Sequence, residues 1–356
     1  MQSALTERNN ELLDQSREAG PLYGPTPFWQ AGADRLMAGL DQQGMACFRR
    51  HPAALAFFVP TYGYPGNSLS QPQIDALRGA WHGETPAGPK QQQSLEQYIT
   101  GELHALSDYR AFAAGARHGS AARLLNFSES DVGEPVEQFI FDGRRYSRSA
   151  LNYLLGLVFL ANHTDLGSID NVVEIGGGFG TLGEILAQCW PKDGFRYVDL
   201  DIPPTCFFAD FYLSKACAEI PRRAVGDMLA GAVDVNELPP LTVQPNWCVE
   251  NLRGSIDLFV NFISFQEMEP DVVENYLNHI DRLAPRWVLL RNMREGKQQR
   301  TASNPIGVAT PIKAPFYASA LKNYQQVATD TTIYGFRTSD GFHSDLMLFE
   351  RSNAAM

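Results

Sequence analysis

Residues 171–183 read Asn-Val-Val-Glu-Ile-Gly-Gly-Gly-Phe-Gly-Thr-Leu-Gly, so a carboxylate precedes a run of glycines. The apolar start predicts a strand, and the apolar residues after Gly180 recur with the spacing of one helix face. Strand, glycine turn and helix in this order form a site for a nucleotide-like ligand. Gly176, Gly178 and Gly180 lack the Cβ that would keep a ligand from the backbone, and the helix start adds unpaired N–H groups.

Two classes of ligand fit these residues. Residues 178–183 match the G-x-G-x-x-G pattern that holds the pyrophosphate of NAD at a helix N-terminus. Glu174, however, would stand at the tip of the strand, where a carboxylate repels a pyrophosphate and attracts a cation. S-adenosylmethionine carries a sulfonium and an ammonium group and no phosphate. We therefore predict S-adenosylmethionine as the cofactor, with NAD as the alternative.

Further carboxylates follow the next two predicted strands. Asp201 ends the strand 195–201 and lies about 20 residues after the glycines, where doubly wound folds place the acid that holds the ribose hydroxyls. Asp199 shares its strand face and is the second candidate. Asp227 follows the strand predicted at 222–226, and we expect it either to accept from the adenine amino group or to cap a helix.

Polar residues also follow the strand predicted at 256–262. Ligands of open α/β sheets bind at the carboxyl ends of strands, so we predict that Asn261 and Ser264 contact the cofactor. Gln266 and Glu267 are predicted as catalytic residues at the same end. The alternative for Glu267 is that it starts the next helix, whose dipole a carboxylate complements.

A hydroxyl acceptor also benefits from a general base about 2.6–3.2 Å from its oxygen, and histidine is the usual one. His343 is the main candidate among the seven histidines, because it lies where the last two predicted strands turn. His163 and His82 are further candidates, and for each histidine a surface or core role is the alternative. No cluster of acids and histidines has metal-ligand spacing, so we predict no metal.

The composition argues against several classes of function. The 356 residues carry a net charge of −11 with no Lys/Arg cluster longer than a pair, which disfavours nucleic acid as a partner. The longest apolar run, 150–161, is too short to cross a bilayer. Five cysteines without C-x-x-C spacing and no signal pattern at the start are typical of a cytoplasmic protein with reduced thiols.

The elements predict an α/β chain in two parts. Residues 1–145 read as mostly helical, and this helical extension is predicted to be a dimer surface, a lid or an acceptor wall. Four aromatic residues predict the lid or acceptor pocket, with core packing as the alternative: Trp29, Tyr62, Tyr64 and Trp81. Residues 146–356 alternate strands and helices, which predicts a Rossmann-like, seven-stranded, mainly parallel sheet with an antiparallel final strand. The remaining predicted strands are 171–175, 286–291, 328–335 and 343–350, and the helices are 181–190, 204–219 and 270–283.

A basic stretch at 291–297 is read as an acceptor contact or a solvated loop.

Residues 127–350 resemble a sugar O-methyltransferase family, a branch of the class I S-adenosylmethionine-dependent methyltransferases. The matching pieces are Asp131-Val-Gly-Glu-Pro, Tyr146-Ser, Leu151-Asn-Tyr, Glu174-Ile-Gly-Gly-Gly-Phe-Gly, Asp201-Ile-Pro-Pro, Tyr212-Leu-Ser-Lys and Ser264-Phe-Gln-Glu-Met. The resemblance implies the class I fold and adds Tyr146 as a cofactor-binding residue. It implies an enzyme that methylates a hydroxyl on a sugar or natural-product scaffold. An NAD-dependent oxidoreductase and a non-catalytic partner subunit with the same fold are the alternatives, and a homodimer is one option.

Overall fold

Six helices form most of the N-terminal part in the computed structural model, which describes residues 2–81, 87–191, 194–302, 304, 307–338 and 341–352. They are α1 (Gln2–Ala19), α2 (Pro27–Gln43), α3 (Pro52–Phe57), α4 (Gln71–Ala80), α5 (Pro89–Ile99) and α6 (Glu102–Gly115). Proline stands in the first turn of α2, α3, α4 and α5, where its missing N–H costs no helical hydrogen bond. A short antiparallel hairpin, β1 (Phe139–Phe141) and β2 (Arg144–Tyr146), follows.

Strands and helices alternate through the rest of the chain. The helices are α7 (Arg148–Ala161), α8 (Thr181–Cys189), α9 (Thr205–Ala216), α10 (Pro270–Leu283) and α11 (Ala314–Ala320). The strands are β3 (Asn171–Ile175), β4 (Arg196–Asp201), β5 (Arg222–Arg223), β6 (Val233–Asp234), β7 (Leu241–Pro245), β8 (Leu252–Arg253), β9 (Leu258–Phe262), β10 (Trp287–Met293), β11 (Tyr324–Asp330) and β12 (Ser344–Arg351).

Eight of these strands form one sheet in the order β11-β12-β10-β9-β3-β4-β7-β5. β12 runs antiparallel to both of its neighbours, and the other pairs are parallel. The chain moves outward from β3 to β7 and then returns to β9 on the other side of β3. This reversal makes a crevice at the carboxyl ends of β3 and β9, where such sheets bind ligands. The predicted Rossmann-like, mainly parallel sheet with an antiparallel final strand is therefore confirmed, although it has eight strands where seven were predicted.

One central strand differs from the prediction. The strand predicted at 222–226 is reduced to the two-residue edge strand β5, and the place beside β4 belongs to β7, Leu241–Pro245. The sequence pattern does not predict β7, because two of its five residues, Thr242 and Gln244, are polar although they are fully buried. The Gln244 side chain donates to the carbonyl oxygens of Ala224 and Asp227 and accepts from Leu229 N. Its hydrogen bonds thus satisfy a polar group in the core.

Two apolar clusters contain most of the buried apolar side chains. One contains residues of α7, α8 and α9 together with Phe48 and Phe112 of the N-terminal part. The other contains residues of α10 and α11, with Phe265, Tyr276 and Tyr317 among its largest members. The N-terminal helices therefore share a core with the sheet. None of the helices in the described ranges is long and apolar enough to cross a membrane.

Candidate active site

A cavity lies at the carboxyl ends of β3, β4, β7 and β9, at the crevice made by the strand order. Its empty volume is about 1160 Å³, including the space at its mouth that is open to solvent. Loops after these four strands form one wall, and α7 and α10 form others. Residues 24–29 of the N-terminal part and residues 55–60, at and after α3, complete the lining. Parts of the chain more than 200 residues apart thus meet at one site.

The glycine loop after β3 reaches the cavity at Gly176 and Gly178, both at positive φ, +73° and +67°. A Cβ on Gly176 would lie 2.2 Å from Ser264 Oγ, so this glycine is required by packing. A Cβ on Gly178 would meet only Phe58 O, at 3.9 Å, and would otherwise occupy open space. Gly180 does not line the cavity; it starts α8 at φ +92°, with Leu213 where a Cβ would stand. Gly178 is therefore the position where a ligand can approach the backbone.

Asp201, at the end of β4, lines the cavity beside this loop. Its Oδ2 accepts from Gly178 N at 3.0 Å, and its Oδ1 accepts from Ile202 N at 2.7 Å. Burial raises the pKa of Asp201 to about 7, although the two backbone N–H groups lower it. Since a carboxylate has about four acceptor positions, this one still has room for ligand hydroxyl groups.

Glu174 and Asp199 lie beneath the loop, fully buried, and neither lines the cavity. Glu174 accepts from the hydroxyls of Tyr153, at 2.7 Å, and Tyr197, at 2.5 Å. Burial raises the pKa of Glu174 to about 7, and burial together with the charge of Glu174 raises that of Asp199. Glu174 thus reaches the cavity through Tyr153, which does line it.

Asn246 follows β7 directly and lines the cavity, a residue that sequence reasoning missed. Its Nδ2 donates to Tyr23 O at 2.9 Å and to the Tyr276 hydroxyl at 2.7 Å. Its Oδ1 has no partner among the described residues, and neither has Oγ1 of the lining residue Thr205. A buried acceptor without a donor costs free energy, so a ligand N–H at Asn246 would be stabilising. No sequence signal could find Asn246 once β7 was overlooked.

Two predicted cofactor contacts lie away from the cavity. Asp227 is exposed and accepts from Arg223 Nε at 2.9 Å, because the strand before it is only an edge strand. Tyr146 is buried in an aromatic cluster of the hairpin and α6, 5.2 Å between ring centroids from Tyr109. The structure brings neither side chain to the lining, which corrects both predictions.

The loop after β9 has one lining residue and one supporting residue among those predicted. Ser264 lines the cavity, whereas Asn261 lies fully buried behind it. Asn261 Nδ2 donates to Ser264 Oγ at 2.6 Å and to Ile175 O at 2.9 Å. Between them Ile263, also a lining residue, has φ +74°. A β-branched residue at positive φ is strained, and such strain is concentrated at functional sites.

Only one of the three predicted catalytic residues lies at the cavity. Glu267 lines it and accepts from Lys297 Nζ at 2.8 Å. Burial raises the pKa of Glu267, although Lys297 lowers it. The Gln266 side chain turns away, its Oε1 accepting from Met293 N at 2.7 Å. The sequence could not show which of the two faces the cavity, because both are polar, and in the structure both are buried.

His343 stands at the carboxyl edge of the sheet, because β12 begins opposite the end of β10, but it does not line the cavity. Its N–H donates to Glu295, and its Nδ1 accepts from Thr338 N at 3.3 Å. His163 is exposed just after α7, and His82 lies outside the described residues. His343 therefore does not lie where the predicted base would have to be.

The charged side chains of the lining are those of Asp201 and Glu267, and no Lys, Arg or His is found among the lining residues of the described chain. The arginine side chains of the basic stretch 291–297 bind to other residues of the chain and not to the cavity. Arg291 donates to Asn152 O and Tyr334 O, and Arg294 pairs with Asp345 at 2.9 Å. Within the described ranges, no group of three or more His, Cys, Asp or Glu could hold a metal ion. The lining thus carries negative and no positive charge.

The N-terminal segment 20–29 contributes Gly24, Thr26 and Trp29 to the cavity lining. The Tyr23 hydroxyl donates to Glu250 Oε1 at 2.6 Å and Thr26 Oγ1 donates to Glu267 O at 3.3 Å. Trp29 lines the cavity, as one of the alternatives for the N-terminal aromatic residues predicts. The other three aromatic residues of that prediction do not line it. Tyr62 is buried and donates to Asp108 Oδ2 at 2.6 Å, Tyr64 is half exposed, and Trp81 is partly buried.

No family model and no curated protein matches this chain. Among solved structures it is similar to mitomycin 7-O-methyltransferase MmcR, with 12% identity, 92% of this chain and 69% of that chain covered, and a TM-score of 0.36. It is also similar to magnesium protoporphyrin IX methyltransferase ChlM from Synechocystis PCC 6803 (17% identity, 58% and 84% covered, TM-score 0.38). The N-terminal domain of EvdMO1 with SAH bound is a third (13%, 61% and 91%, TM-score 0.37). Likenesses of this strength decide nothing about the reaction, which has to be inferred from the site.

Proposed function

We propose that this chain is an S-adenosylmethionine-dependent methyltransferase that methylates a hydroxyl group on a sugar or natural-product small molecule. The observation that carries the proposal is the cavity beside the glycine loop, open at Gly178 and bordered by Asp201. Its lining has two carboxylates and, among the described residues, no cationic side chain. This charge suits a cationic ligand without phosphate.

The residues present fit each part of the methyl donor. Asp201 has acceptor positions for the ribose hydroxyls, and the unpartnered Oδ1 of Asn246 suits the adenine amino group. Of the three acids only Asp201 lines the cavity, and its carboxylate would attract the sulfonium and ammonium charges; it has no salt bridge with a described Lys or Arg. NAD fits less well, because its pyrophosphate would face Asp201 without a compensating cation. The open, complete lining also disfavours a non-catalytic partner subunit.

When bound there, S-adenosylmethionine supplies a methyl group activated by the sulfonium. The chain has to place an acceptor oxygen in line with that methyl, which lowers the entropic part of the barrier. Glu267 lies at the cavity with a raised pKa and is the residue that we assign to take the hydroxyl proton. Lys297 fixes the Glu267 carboxylate, and Trp29, Phe57 and Phe58 exclude water from this side.

We assign the donor site to residues 146–356 and the acceptor wall to residues 1–145. This division follows the lining, in which the glycine loop and strand ends come from the sheet and Trp29 and Phe58 come from the N-terminal part. A homodimer and a cytoplasmic location stay predictions from the sequence.

The experiment is isothermal titration of the whole chain with S-adenosylmethionine, S-adenosylhomocysteine and NADH. We expect both adenosyl ligands to bind and NADH not to bind. Gly178→Val should lower their affinity at least tenfold, because its side chain would occupy the ligand space at positive φ. Gly226→Val is the matched control, since Gly226 is exposed and a Cβ there meets nothing within 4 Å. Binding of NADH alone, or unchanged S-adenosylmethionine binding by Gly178→Val, would show the proposal to be wrong.

A further inference from the structure

We propose that the acceptor is a phenol, an uncharged flat aromatic molecule whose ring hydroxyl meets Glu267 in the part of the cavity beside Trp29, Phe57 and Phe58. This inference rests on the proposed function and narrows its acceptor class. The evidence is the shape and chemistry of the lining that the methyl donor does not need.

Aromatic rings form much of this part of the lining. Trp29 and Phe57 lie 5.9 Å apart between ring centroids, and Phe58, Leu55 and Pro60 follow them in the lining. Rings packed against each other in this way are held in fixed orientations and offer apolar faces to a flat ligand.

Two polar side chains near Glu267, those of Thr26 and Ser264, already have hydrogen-bond partners. Thr26 Oγ1 already donates to Glu267 O, and Ser264 Oγ accepts from Asn261 and donates to Ile175 O. A sugar bound here would need partners for several hydroxyls, and each buried hydroxyl left unpaired is costly. A phenol brings one hydroxyl and an apolar ring, which this lining can satisfy.

The charges of the site select against anionic acceptors. Glu267 is the one charged side chain in this part of the described lining, and the nearest cation, Lys297, is committed to it at 2.8 Å. Lys297 Nζ also lies 4.5 Å from the centroid of the Phe28 ring. A carboxylate or phosphate on the acceptor would therefore meet repulsion from Glu267 without a free partner.

The base available also favours a phenol. A phenolic hydroxyl has a pKa of about 10, whereas an alcohol is closer to water at about 15.7. A carboxylate therefore takes the proton of a phenol at a smaller free-energy cost than that of an alcohol. Burial raises the pKa of Glu267 toward that of a phenol. The hydroxyl proton passes to the Glu267 carboxylate, and the oxygen electron pair forms the new bond to the methyl carbon. The bond from methyl to sulfur breaks and leaves its electron pair on sulfur, which becomes neutral, so no further reactant is needed.

The test measures acceptor binding by titration in the presence of saturating S-adenosylhomocysteine. The probes are a panel of uncharged mono-, bi- and tricyclic phenols including 2-naphthol, the anion 3-hydroxy-2-naphthoate, and methyl glycosides of glucose and rhamnose. We expect one or more uncharged phenols to bind, the hydroxynaphthoate to bind at least tenfold more weakly than 2-naphthol, and the glycosides not to bind. With S-adenosylmethionine, mass spectrometry should detect the aryl methyl ether.

Trp29→Ala and the milder Phe57→Leu should each weaken phenol binding at least fivefold and leave S-adenosylhomocysteine binding intact. Trp81→Ala is the matched control, because Trp81 does not line the cavity. Preferred binding or methylation of a glycoside, or phenol binding unchanged in both lining variants, overturns this inference and leaves the proposed function standing. Absence of S-adenosylhomocysteine binding in the wild-type chain would instead overturn the proposed function, and the acceptor assignment with it.

Discussion

The backbone N–H of Gly178 donates to Oδ2 of Asp201 at 3.0 Å, so one carboxylate both fixes the glycine loop and borders the cavity. Asp201 Oδ1 holds Ile202 N at the same time. The hydrogen bond that fixes the loop and the charge beside it therefore both depend on the ionisation of Asp201, whose pKa burial raises to about 7.

We expect S-adenosylmethionine to bind more tightly as the pH rises from about 6 to about 8. Below pH 7 Asp201 is protonated in the free protein, so a cationic ligand must first displace its proton, at up to about a tenfold loss of affinity per pH unit. Above pH 7 the affinity should level off. Titration calorimetry of wild type and Asp201→Asn tests this, and the variant should bind more weakly with a flatter pH profile. Asp227→Asn is the control, and an equal slope in Asp201→Asn would contradict the assignment.

Asn246 should recognise the amino group of adenine through its unpartnered Oδ1. Replacing that amino group by a carbonyl, as in S-inosylhomocysteine, should lower the affinity of the wild-type chain about tenfold, since a lost hydrogen bond that leaves a buried group unpaired costs about 1–3 kcal/mol. Asn246→Ala should bind S-adenosylhomocysteine and S-inosylhomocysteine equally. If the variant still preferred the adenosyl ligand by the wild-type ratio, Asn246 would have no part in base recognition.

Lys297 should set the pH range of catalysis through Glu267. Lys297 lowers the pKa of Glu267 against the effect of burial, so Lys297→Gln should raise that pKa and leave less of the ionised base at neutral pH. We expect kcat to fall at neutral pH and to recover as the pH is raised, with S-adenosylmethionine affinity unchanged. The pH profile of kcat is the measurement, with the exposed Lys322→Gln as control. A fall in kcat of equal size at every pH would indicate a purely structural role.

Glu184 should make the free protein less stable as the pH rises toward neutrality. It is buried, and burial together with the charge of Glu129 raises its pKa from 4.5 to about 7. Between these values the folded state holds a proton that the unfolded state has lost, so stability falls with rising pH, by up to about 1.4 kcal/mol per pH unit. Above pH 7 the effect ends. The free energy of unfolding in urea should fall with pH less steeply in Glu184→Gln than in wild type, by about this slope. The exposed control Glu237→Gln should follow wild type.

The parts of the site that the sequence predicts are those with strong local signals. Gly176, Gly178 and Asp201 follow strands whose apolar runs are easily recognised, and their place at the crevice follows from the order of parallel strands. Asn246 could not be predicted, because β7 carries two polar residues that are satisfied by distant backbone groups. Asp227 was wrongly preferred for the same reason.

The direction in which a side chain points is the second feature of the site that the sequence could not predict. Gln266 and Glu267 are adjacent and both buried, yet only Glu267 points to the cavity, a difference set by the Gln266 contact with Met293 N. Tyr146 and Trp29 are both aromatic residues outside the sheet, and packing against Tyr109 removes Tyr146 from the site. Such choices depend on tertiary contacts that no local pattern encodes.

The N-terminal residues that line the cavity have hydrogen-bond partners that are synthesised much later. The hydrogen bond from Tyr23 to Glu250 spans 227 residues, and that from Thr26 to Glu267 spans 241. On a ribosome that adds about 5–20 residues per second, these N-terminal residues wait on the order of 10–50 s for their partners. During that time the side chains of Phe28 and Trp29 can pack against early residues such as Phe57, but not yet against the sheet. The lining of the cavity is therefore completed late in synthesis, and its first-made residues are those that a nascent chain has to protect longest.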